Sequence, residues 1–254
     1  MSRGANLNQA QDQDPICEVL EWDSHFFGCR IARLEQSRLL QKSMQAALEW
    51  CSLNQIDCLY FAAASDDDET VAIAEANDFH LVDVRMTLEV QLDAAPPKQH
   101  SVRPFDESDL PMLTDIAAAS HYDSRFYYDR RFPRPRVDDL YRIWIERSCR
   151  GWADRVFVAE SNGKPVGYVS CHLHAPDTGS IGLLAVSSDR RGARIGESLV
   201  KAALGFFFEN GRANATVVTQ GRNIASQRLY QRCGFITESV LWYYHRWFSA
   251  SPFL

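Results

Sequence analysis

The sequence lacks an apolar run that approaches the roughly 18 residues of a membrane-spanning helix. It also lacks an excess of basic residues, since 27 Lys and Arg against 33 Asp and Glu give a net charge of −6. Such a chain has too little positive field to hold nucleic acid without reading its sequence. A charged and then apolar start, the pattern of a secretory signal, is missing from residues 1–15. These absences weaken the membrane, secreted and nucleic-acid-binding classes.

No two cysteines form a Cys-x-x-Cys pair, although the chain has seven of them. They are odd in number and scattered: Cys17, Cys29, Cys51, Cys58, Cys149, Cys171 and Cys233. This spacing argues against a zinc site and against a disulfide framework. We therefore expect reduced thiols, a cytoplasmic location and no bound metal.

What remains is the composition of an ordinary globular protein, with 254 residues, 46% hydrophobic and 24% charged. At a prior of about 150 residues per domain, this length allows one large domain or two modest ones. The consecutive prolines Pro96 and Pro97 cannot continue a helix or strand and mark a linker. We predict a disordered tail at 1–14, an N-terminal α/β domain at 15–95, a linker at 96–100 and a second domain at 101–254.

Strands alternate with helices along most of the chain, which predicts the α/β class with a mixed sheet. The clearest local signal is a hairpin whose strands at 155–160 and 166–173 flank Asn162 and Gly163. We also predict a long loop over 121–136 and a helix from about 138 to 150. Residues 60–89 and 217–244 repeat one order of elements, so a decayed duplication and the general similarity of α/β units both stay open.

One loop, at residues 187–195, carries three arginines and leads from an apolar strand into a long helix. The free N–H groups and positive dipole of a helix N-terminus attract anions, and Gly192 and Gly196 allow close approach to the main chain. The loop therefore predicts a diphosphate site, with a solvated arginine-rich turn as the alternative. It has neither the Gly-Lys-Ser/Thr ending of a P-loop nor the glycine spacing of a dinucleotide site.

A second motif follows the next strand, with Asn223 before a helix, Tyr230 within it and Gly234-Phe235 after it. Together with the arginine loop, it resembles the GNAT acetyltransferase superfamily over residues 101 to about 247. The family's loop signature falls on Arg191, Gly192, Ala193, Arg194 and Gly196. Arg194 stands where the family has its first glycine, so a side chain projects from that position.

The resemblance implies an α/β GNAT acyltransferase fold, a mixed sheet with flanking helices, preceded here by a smaller, truncated GNAT-like α/β domain. It implies acetyl-CoA as co-substrate, with the thioester beside Leu184, Ala185 and Val186. The diphosphate would lie on residues 191–196 and Asn223 near the pantetheine or acetyl group. Tyr230 would protonate the departing thiolate, with its pKa lowered by the site; the alternative is an ordinary core tyrosine.

A finer similarity within the family, carried by Trp22 to Gly28 among other segments, is to enzymes that acetylate the amine of a nucleotide-linked, dTDP-type amino sugar. The loop at 121–136 fits such an acceptor because arginines and aromatic rings suit a diphosphate and a stacked base or sugar. We predict acceptor binding by Arg125, first, and by Tyr127 and His174. The alternative is a surface loop whose arginines pair with carboxylates and whose aromatic residues fill the core.

The proton acceptor for the amine is unassigned, and His172 and His174 are both candidates. Cys171 and Cys233 lie in apolar surroundings without a histidine partner, so direct attack in a ternary complex fits better than an acyl-enzyme. Two other functions stay open: acetylation of a polyamine, peptide N-terminus or antibiotic, and non-catalytic acyl-CoA binding. A homodimer is compatible with the sequence.

Overall fold

The computed structural model describes residues 16–248, so the predicted tail at 1–14 lies outside the described residues. The strands are β1 (Cys17–Val19), β2 (Ile31–Leu34), β3 (Cys58–Ala64), β4 (His80–Gln91), β5 (Val102–Pro104), β6 (Arg155–Ser161), β7 (Lys164–His174), β8 (Thr178–Val186), β9 (Asn214–Gln220) and β10 (Ile236–Trp247). The helices are α1 (Glu21–Phe27), α2 (Gln41–Leu53), α3 (Asp68–Ala76), α4 (Leu110–Ala118), α5 (Arg125–Tyr128), α6 (Arg134–Arg147), α7 (Ile195–Glu209) and α8 (Ile224–Arg232).

All ten strands form one sheet in the order β1-β2-β3-β10-β4-β9-β8-β7-β6-β5. The pairs β2–β3 and β8–β9 are parallel and the other seven neighbouring pairs are antiparallel. The predicted mixed α/β sheet with flanking helices is therefore confirmed.

The sheet interleaves the two predicted domains. β4, from the first, lies between β10 and β9, which both belong to the second. The predicted linker at 96–100 falls in the connection between β4 and β5, where no helix or strand is present. The predicted linker is therefore a connection between strands. The two predicted domains are nevertheless joined by the hydrogen bonds of one sheet.

Each face of the sheet is covered by its own set of helices. Along β3, Tyr60 packs into a core with α1, α4, α5 and α6, on what we call the first face. Its neighbours Leu59 and Phe61 pack against α2 and α3 on the second face. On the same second face, α7 and α8 cover the other end of the sheet.

The hairpin β6–β7 follows directly from its turn sequence. Ser161 pairs with Lys164, and Asn162 and Gly163 have φ angles of +52° and +72°. Positive φ at both central residues is the geometry that matches the twist of the flanking strands, and Asn-Gly adopts it readily.

The prediction of one long loop over 121–136 is wrong, because the region contains α5 and the first turn of α6. The helix predicted from about 138 to 150 spans Arg134–Arg147 instead. Pro133 stands before the helix and Pro135 in its first turn, where proline's fixed φ suits a helix start. Buried Phe126 and Phe132 hold the region on the first face.

Within residues 16–248, no helix is both long and apolar enough to cross a membrane.

Candidate active site

The parallel strands β8 and β9 separate midway along the sheet. Their pairing runs from Thr178 with Asn214 to Ile181 with Val217, and then ends. β8 nevertheless continues to Val186 and β9 to Gln220. We call the space between residues 182–186 of β8 and 218–220 of β9 the β8–β9 opening.

A bulge in β8 marks the start of this opening. Val169 pairs with Leu184 and Cys171 with Ile181, so β8 has one residue more than β7 over this stretch. The N–H of Leu183 bonds to the Ser170 hydroxyl at 2.8 Å, which satisfies the main chain at the bulge. Bulges re-aim the following side chains, and here Leu183 and Ala185 turn to the first face although Ile181 faces the second.

Two of the three predicted thioester-binding residues present their main chain to the opening. The N–H of Ser187 bonds to Val166 of β7, and the alternation of an antiparallel ladder then turns Ala185 toward β7 as well. Leu184 and Val186 therefore direct their N–H and C=O groups toward β9, where no strand pairs with them. The structure places Ala185 differently, with its main chain in the ladder and its side chain buried on the first face.

The loop before α7 leaves a row of main-chain donors free. Among the described residues, the N–H groups of residues 192–196 have no hydrogen-bond acceptor. Gly192 has φ +84° and Arg194 φ +59°, so both are left-handed, and Arg194 is the residue that precedes α7. Successive N–H groups in such a turn, at a helix start, form a concavity suited to an anion.

The individual residues of this loop have separate roles. A Cβ on Gly192 would meet nothing within 4 Å, so only its φ requires glycine. A Cβ on Gly196 would lie 3.0 Å from Leu229 Cδ2, so Gly196 allows α7 to pack on α8. Arg191 donates from Nε to the Val186 carbonyl at 3.3 Å, which ties the loop to the opening. Ala193 and Arg194 are exposed.

Asn223 is positioned by the start of α8. Its side-chain oxygen accepts a hydrogen bond from Ser226 N–H at 3.0 Å and caps the helix. Gln227, one turn later, donates to the carbonyls of Gln220 and Gly221 at 3.0 and 2.8 Å. These bonds fix the start of α8 to the end of β9, beside the opening.

Tyr230 lies on the second face in the cluster against which Leu184 and Val186 also pack. Its side chain is 5% exposed, and its hydroxyl has no hydrogen-bond partner in the described part of the chain. Burial raises the pKa of this hydroxyl above its ordinary value, and no cation offsets the effect. The expectation of a lowered pKa is therefore wrong, and Tyr230 is fully protonated at neutral pH.

On the first face, residues 121–132 cross above the opening. At one end, His121 Nε2 lies 3.0 Å from the hydroxyl of Tyr168, which pairs with Ala185. At the other end, Arg125 lies over Tyr243 of β10, with 4.4 Å from the guanidinium carbon to the ring centre. Tyr141 of α6 stacks on His121 with 4.4 Å between ring centres.

The arginines of the predicted acceptor loop are free of carboxylates. Over the described ranges, none of five forms an ion pair: Arg125, Arg130, Arg131, Arg134 and Arg136. The alternative of arginines neutralised by neighbouring carboxylates is therefore wrong. The second part of that alternative, in which the aromatic residues of the loop fill the core, is correct, because Phe126, Tyr127 and Phe132 are buried.

The other two predicted acceptor residues differ from Arg125. Tyr127 is buried and donates its hydroxyl to Asp138 at 2.7 Å, so its polar atom is already paired. His174 lies at the β7–β8 turn, opposite Thr178, and contacts the Ser180 hydroxyl at 2.7 Å. That turn is the end of β8 remote from the opening, and His172 is also on the far side of the bulge. The His172 ring nevertheless reaches the start of the opening, because its Nε2 lies 2.6 Å from where a Cβ on Gly182 would stand. The structure does not bring His174 to the opening.

Two residues near the opening, His121 and Asp83, were missed by sequence reasoning. His121 is next to Tyr168, and burial, aided by the charge of Arg191, lowers the pKa of its imidazole to about 4. Burial raises the pKa of the Asp83 carboxyl to about 6, against the charge of Arg222, whose Nη2 lies 3.8 Å from it. The signal for Asp83 was a carboxylate set between two valines of β4, Val82 and Val84.

No group of three or more His, Cys, Asp or Glu side chains suited to a metal ion occurs within the residues described.

The comparisons with known proteins agree with this geometry. A family model for the acetyltransferase (GNAT) family matches residues 116–235. The dTDP-fucosamine acetyltransferase of Escherichia coli O6:H1 is 30% identical over 237 residues, covering 90% of this chain and 97% of that protein. The spore coat polysaccharide biosynthesis protein SpsD of Bacillus subtilis is 28% identical over 155 residues, 61% of this chain, and the match spans about half of that protein, 53%.

Among solved structures, a GCN5-related N-acetyltransferase from Sphaerobacter thermophilus superposes with a TM-score of 0.63 at 15% identity. The match covers 92% of this chain and 77% of that one, and it supports the fold. Because the E. coli relative is matched over nearly its whole length, this chain belongs to the GNAT family of acetyltransferases.

Proposed function

We propose that this protein transfers the acetyl group of acetyl-CoA to the amine of a nucleotide-linked, dTDP-type amino sugar. The observation that carries the proposal is the β8–β9 opening, with free main-chain donors on one side and unpaired arginines on the other. The names of two relatives support a sugar-related acceptor, since one is a dTDP-fucosamine acetyltransferase and the other a polysaccharide biosynthesis protein.

The cofactor side of the opening suits acetyl-CoA. The free N–H groups of residues 192–196 and the positive end of α7 would bind its diphosphate. The main-chain groups of Leu184 and Val186 would hold the pantetheine arm and polarise the thioester carbonyl, as main-chain donors do in acyl transfer. Arg194 would add a charge-assisted bond to the diphosphate from its side chain.

The acetyl transfer needs one proton donor and one proton acceptor. The neutral amine attacks the thioester carbonyl carbon, an N–C bond forms, and the C–S bond breaks when the intermediate collapses. Tyr230, protonated because it is buried, gives its proton to the departing thiolate. The attacking nitrogen loses its proton to water or to a group on the first face, where His121 and Asp83 join His172 as candidates and His174 is dropped.

The acceptor side suits a substrate with negative charge. Exposed arginines without ion pairs bind phosphate oxygens through two parallel N–H bonds. A polyamine or a cationic antibiotic would instead be repelled by Arg130, Arg131, Arg134 and Arg136. This unpaired positive charge favours a diphosphate-bearing amine over the cationic alternatives.

A panel of amine acceptors tests the proposal. The protein is incubated with acetyl-CoA and each of several dTDP-linked amino sugars, polyamines and peptides, and thiol release and product mass are measured. We expect acetylation of at least one nucleotide-linked amino sugar with a kcat/KM at least tenfold above every other class. Preferred turnover of a polyamine or peptide would overturn the acceptor class, and tight CoA binding without turnover would support a non-catalytic protein.

A further inference from the structure

A half-buried arginine, Arg125, lies among aromatic rings on the first face and forms no ion pair within the described residues. The guanidinium carbon of Arg125 is 4.3, 4.4 and 4.9 Å from the ring centres of Phe126, Tyr243 and Tyr60. Its Nε is inaccessible to solvent and has no hydrogen-bond partner among residues 16–248. Burying a charged donor in this way is unfavourable unless a further group accepts its hydrogen bond.

Two more buried polar atoms without partners lie beside it. Tyr60 and His245 are neighbours on β3 and β10 and stack with 4.5 Å between ring centres. Within the described chain, the hydroxyl of Tyr60 and Nε2 of His245 both lack a hydrogen-bond partner. Both side chains are fully buried. Arg125, Tyr60 and His245 therefore form one group, which we call the Arg125 cluster.

The protonation of His245 sets what this cluster can bind. Its Nδ1 lies 2.7 Å from the carboxylate of Asp129, which also accepts from Trp247 Nε1 at 2.8 Å. Burial lowers the pKa of His245 to about 4, so the ring is neutral and donates its one N–H to Asp129. Nε2 is then a bare acceptor.

The cluster thus offers donors from Arg125 Nε and the Tyr60 hydroxyl, and an acceptor from His245 Nε2. A sugar hydroxyl matches this set because its oxygen accepts two bonds while its proton is donated. A phosphate has no proton to give to His245 at neutral pH. Its charge would also be repelled by Asp23, whose carboxylate interacts with Arg125, and by Asp129, which bonds to His245. The chemistry favours a neutral hydroxyl over a phosphate oxygen.

The surroundings of the Arg125 cluster differ from those of the other arginines in the same segment. Four arginines at 130–136 are exposed, while the cluster is enclosed by aromatic rings. Aromatic side chains pack well against the apolar faces of a sugar ring and poorly against a hydrated diphosphate.

We propose that the Arg125 cluster binds a hydroxyl of the acceptor's sugar ring, and that the diphosphate of the same molecule lies outside on the exposed arginines. The inference rests on the proposed function. It divides the proposed acceptor site into a part that binds the sugar and a part that binds the diphosphate. It also makes β3, from the N-terminal part of the chain, a contributor to acceptor recognition through Tyr60.

The test distinguishes binding of the sugar from binding of the nucleotide. Binding of a dTDP-amino sugar and of dTDP alone is measured by calorimetry on protein saturated with CoA, so no turnover is needed. We expect Tyr60→Phe to weaken the dTDP-amino sugar about tenfold, because a bound hydroxyl loses a buried partner, and to leave dTDP within twofold. Arg134→Ala, at the surface, is expected to weaken both ligands to a similar extent.

The control is Tyr244→Phe, which removes a buried hydroxyl from the other face of β10, where its partner is Glu75 at 3.4 Å. It should leave both affinities unchanged. Arg125→Lys serves as the second cluster variant, since it keeps the charge while changing the donor geometry, and it should repeat the Tyr60→Phe pattern. Equal losses for dTDP and the dTDP-amino sugar, or no loss for either, would overturn the inference. Wild-type protein that binds and acetylates no dTDP-amino sugar would overturn the proposed function instead.

Discussion

At the scale of single residues, Tyr230 shows how burial changes a catalytic argument. A phenol removed from water and far from cations keeps its proton, so its raised pKa ensures a donor but makes it a weaker acid. The thiolate it would protonate is formed only as the C–S bond breaks. A donor that is always protonated is sufficient at that moment.

We therefore expect Tyr230→Phe to lower kcat by about 10²-fold or more, the usual scale for a lost general acid. The affinity for acetyl-CoA should stay within twofold, because the hydroxyl has no ground-state partner in the described chain. Steady-state kinetics with calorimetric binding of CoA checks both values. An unchanged kcat would remove Tyr230 from the mechanism.

His245 gives a pH dependence of stability with a definite sign. The imidazole titrates near 6.5 when unfolded and near 4 when folded, so between these values the unfolded chain binds more protons. Stability should then fall as the pH is lowered from about 6.5 to about 4, by on the order of 1–3 kcal/mol. His121 acts in the same direction, and Asp83, with its raised pKa, acts in the opposite one.

The comparison of wild type with His245→Gln isolates the His245 contribution. Chemical denaturation at pH 7, 6 and 5 should show a smaller loss of unfolding free energy in the variant. The variant is also less stable at pH 7, since the bond to Asp129 is changed, so only the slope is informative. Parallel slopes would mean that the pKa of His245 is the same in the folded and the unfolded chain.

At the scale of elements, the start of α7 combines a strained residue with the proposed diphosphate site. Arg194 holds φ +59° at the position that precedes the helix, which costs a non-glycine residue roughly 1–2 kcal/mol. Its guanidinium is exposed and free to reach a ligand. Backbone strain and side-chain charge therefore act in opposite directions on any substitution there.

For Arg194→Gly we expect a thermal midpoint equal to or above that of the wild type and an affinity for CoA three- to tenfold lower. The first follows from relief of the left-handed strain, and the second from the lost charge-assisted bond to the diphosphate. Melting curves and CoA titrations at low and high salt measure the two effects. Arg142→Ala, on the exposed side of α6 and paired with Asp139, is the matched arginine control. Unchanged affinity for CoA would show that Arg194 makes no contact with the cofactor.

At the scale of the whole molecule, β4 joins the two halves of the chain. It bonds to β10 along nine residue pairs and to β9 along seven. Without it, β9 and β10 would each expose a long edge inside what is a continuous sheet. The C-terminal part thus depends on the N-terminal part for a central strand.

We predict that residues 98–254 expressed alone do not form a stable, cooperatively unfolding protein. Co-expression with residues 1–97 should restore a soluble complex, because the strand can be supplied in trans. Circular dichroism, thermal melts and co-purification report the outcome. A cooperative melt of 98–254 alone would establish the predicted second domain as an independent folding unit.

The local pattern of the sequence was sufficient for most elements. The Asn162-Gly163 turn placed the β6–β7 hairpin within about two residues, since its geometry depends on neighbours in the chain. The arginine loop before α7 was also found, because a helix start and its free donors are local features. Family resemblance then gave the fold and the kind of chemistry.

Only the tertiary structure decided which groups meet. β4 takes its place between β10 and β9 through pairings with strands more than 120 residues away, and no local pattern encodes that choice. The same is true of the position of Arg125 among aromatic rings and of the distance of His174 from the opening, because both depend on which strands and helices pack together. Sequence thus determined the elements and their local chemistry, whereas burial and strand order determined the charge, partners and position of each side chain.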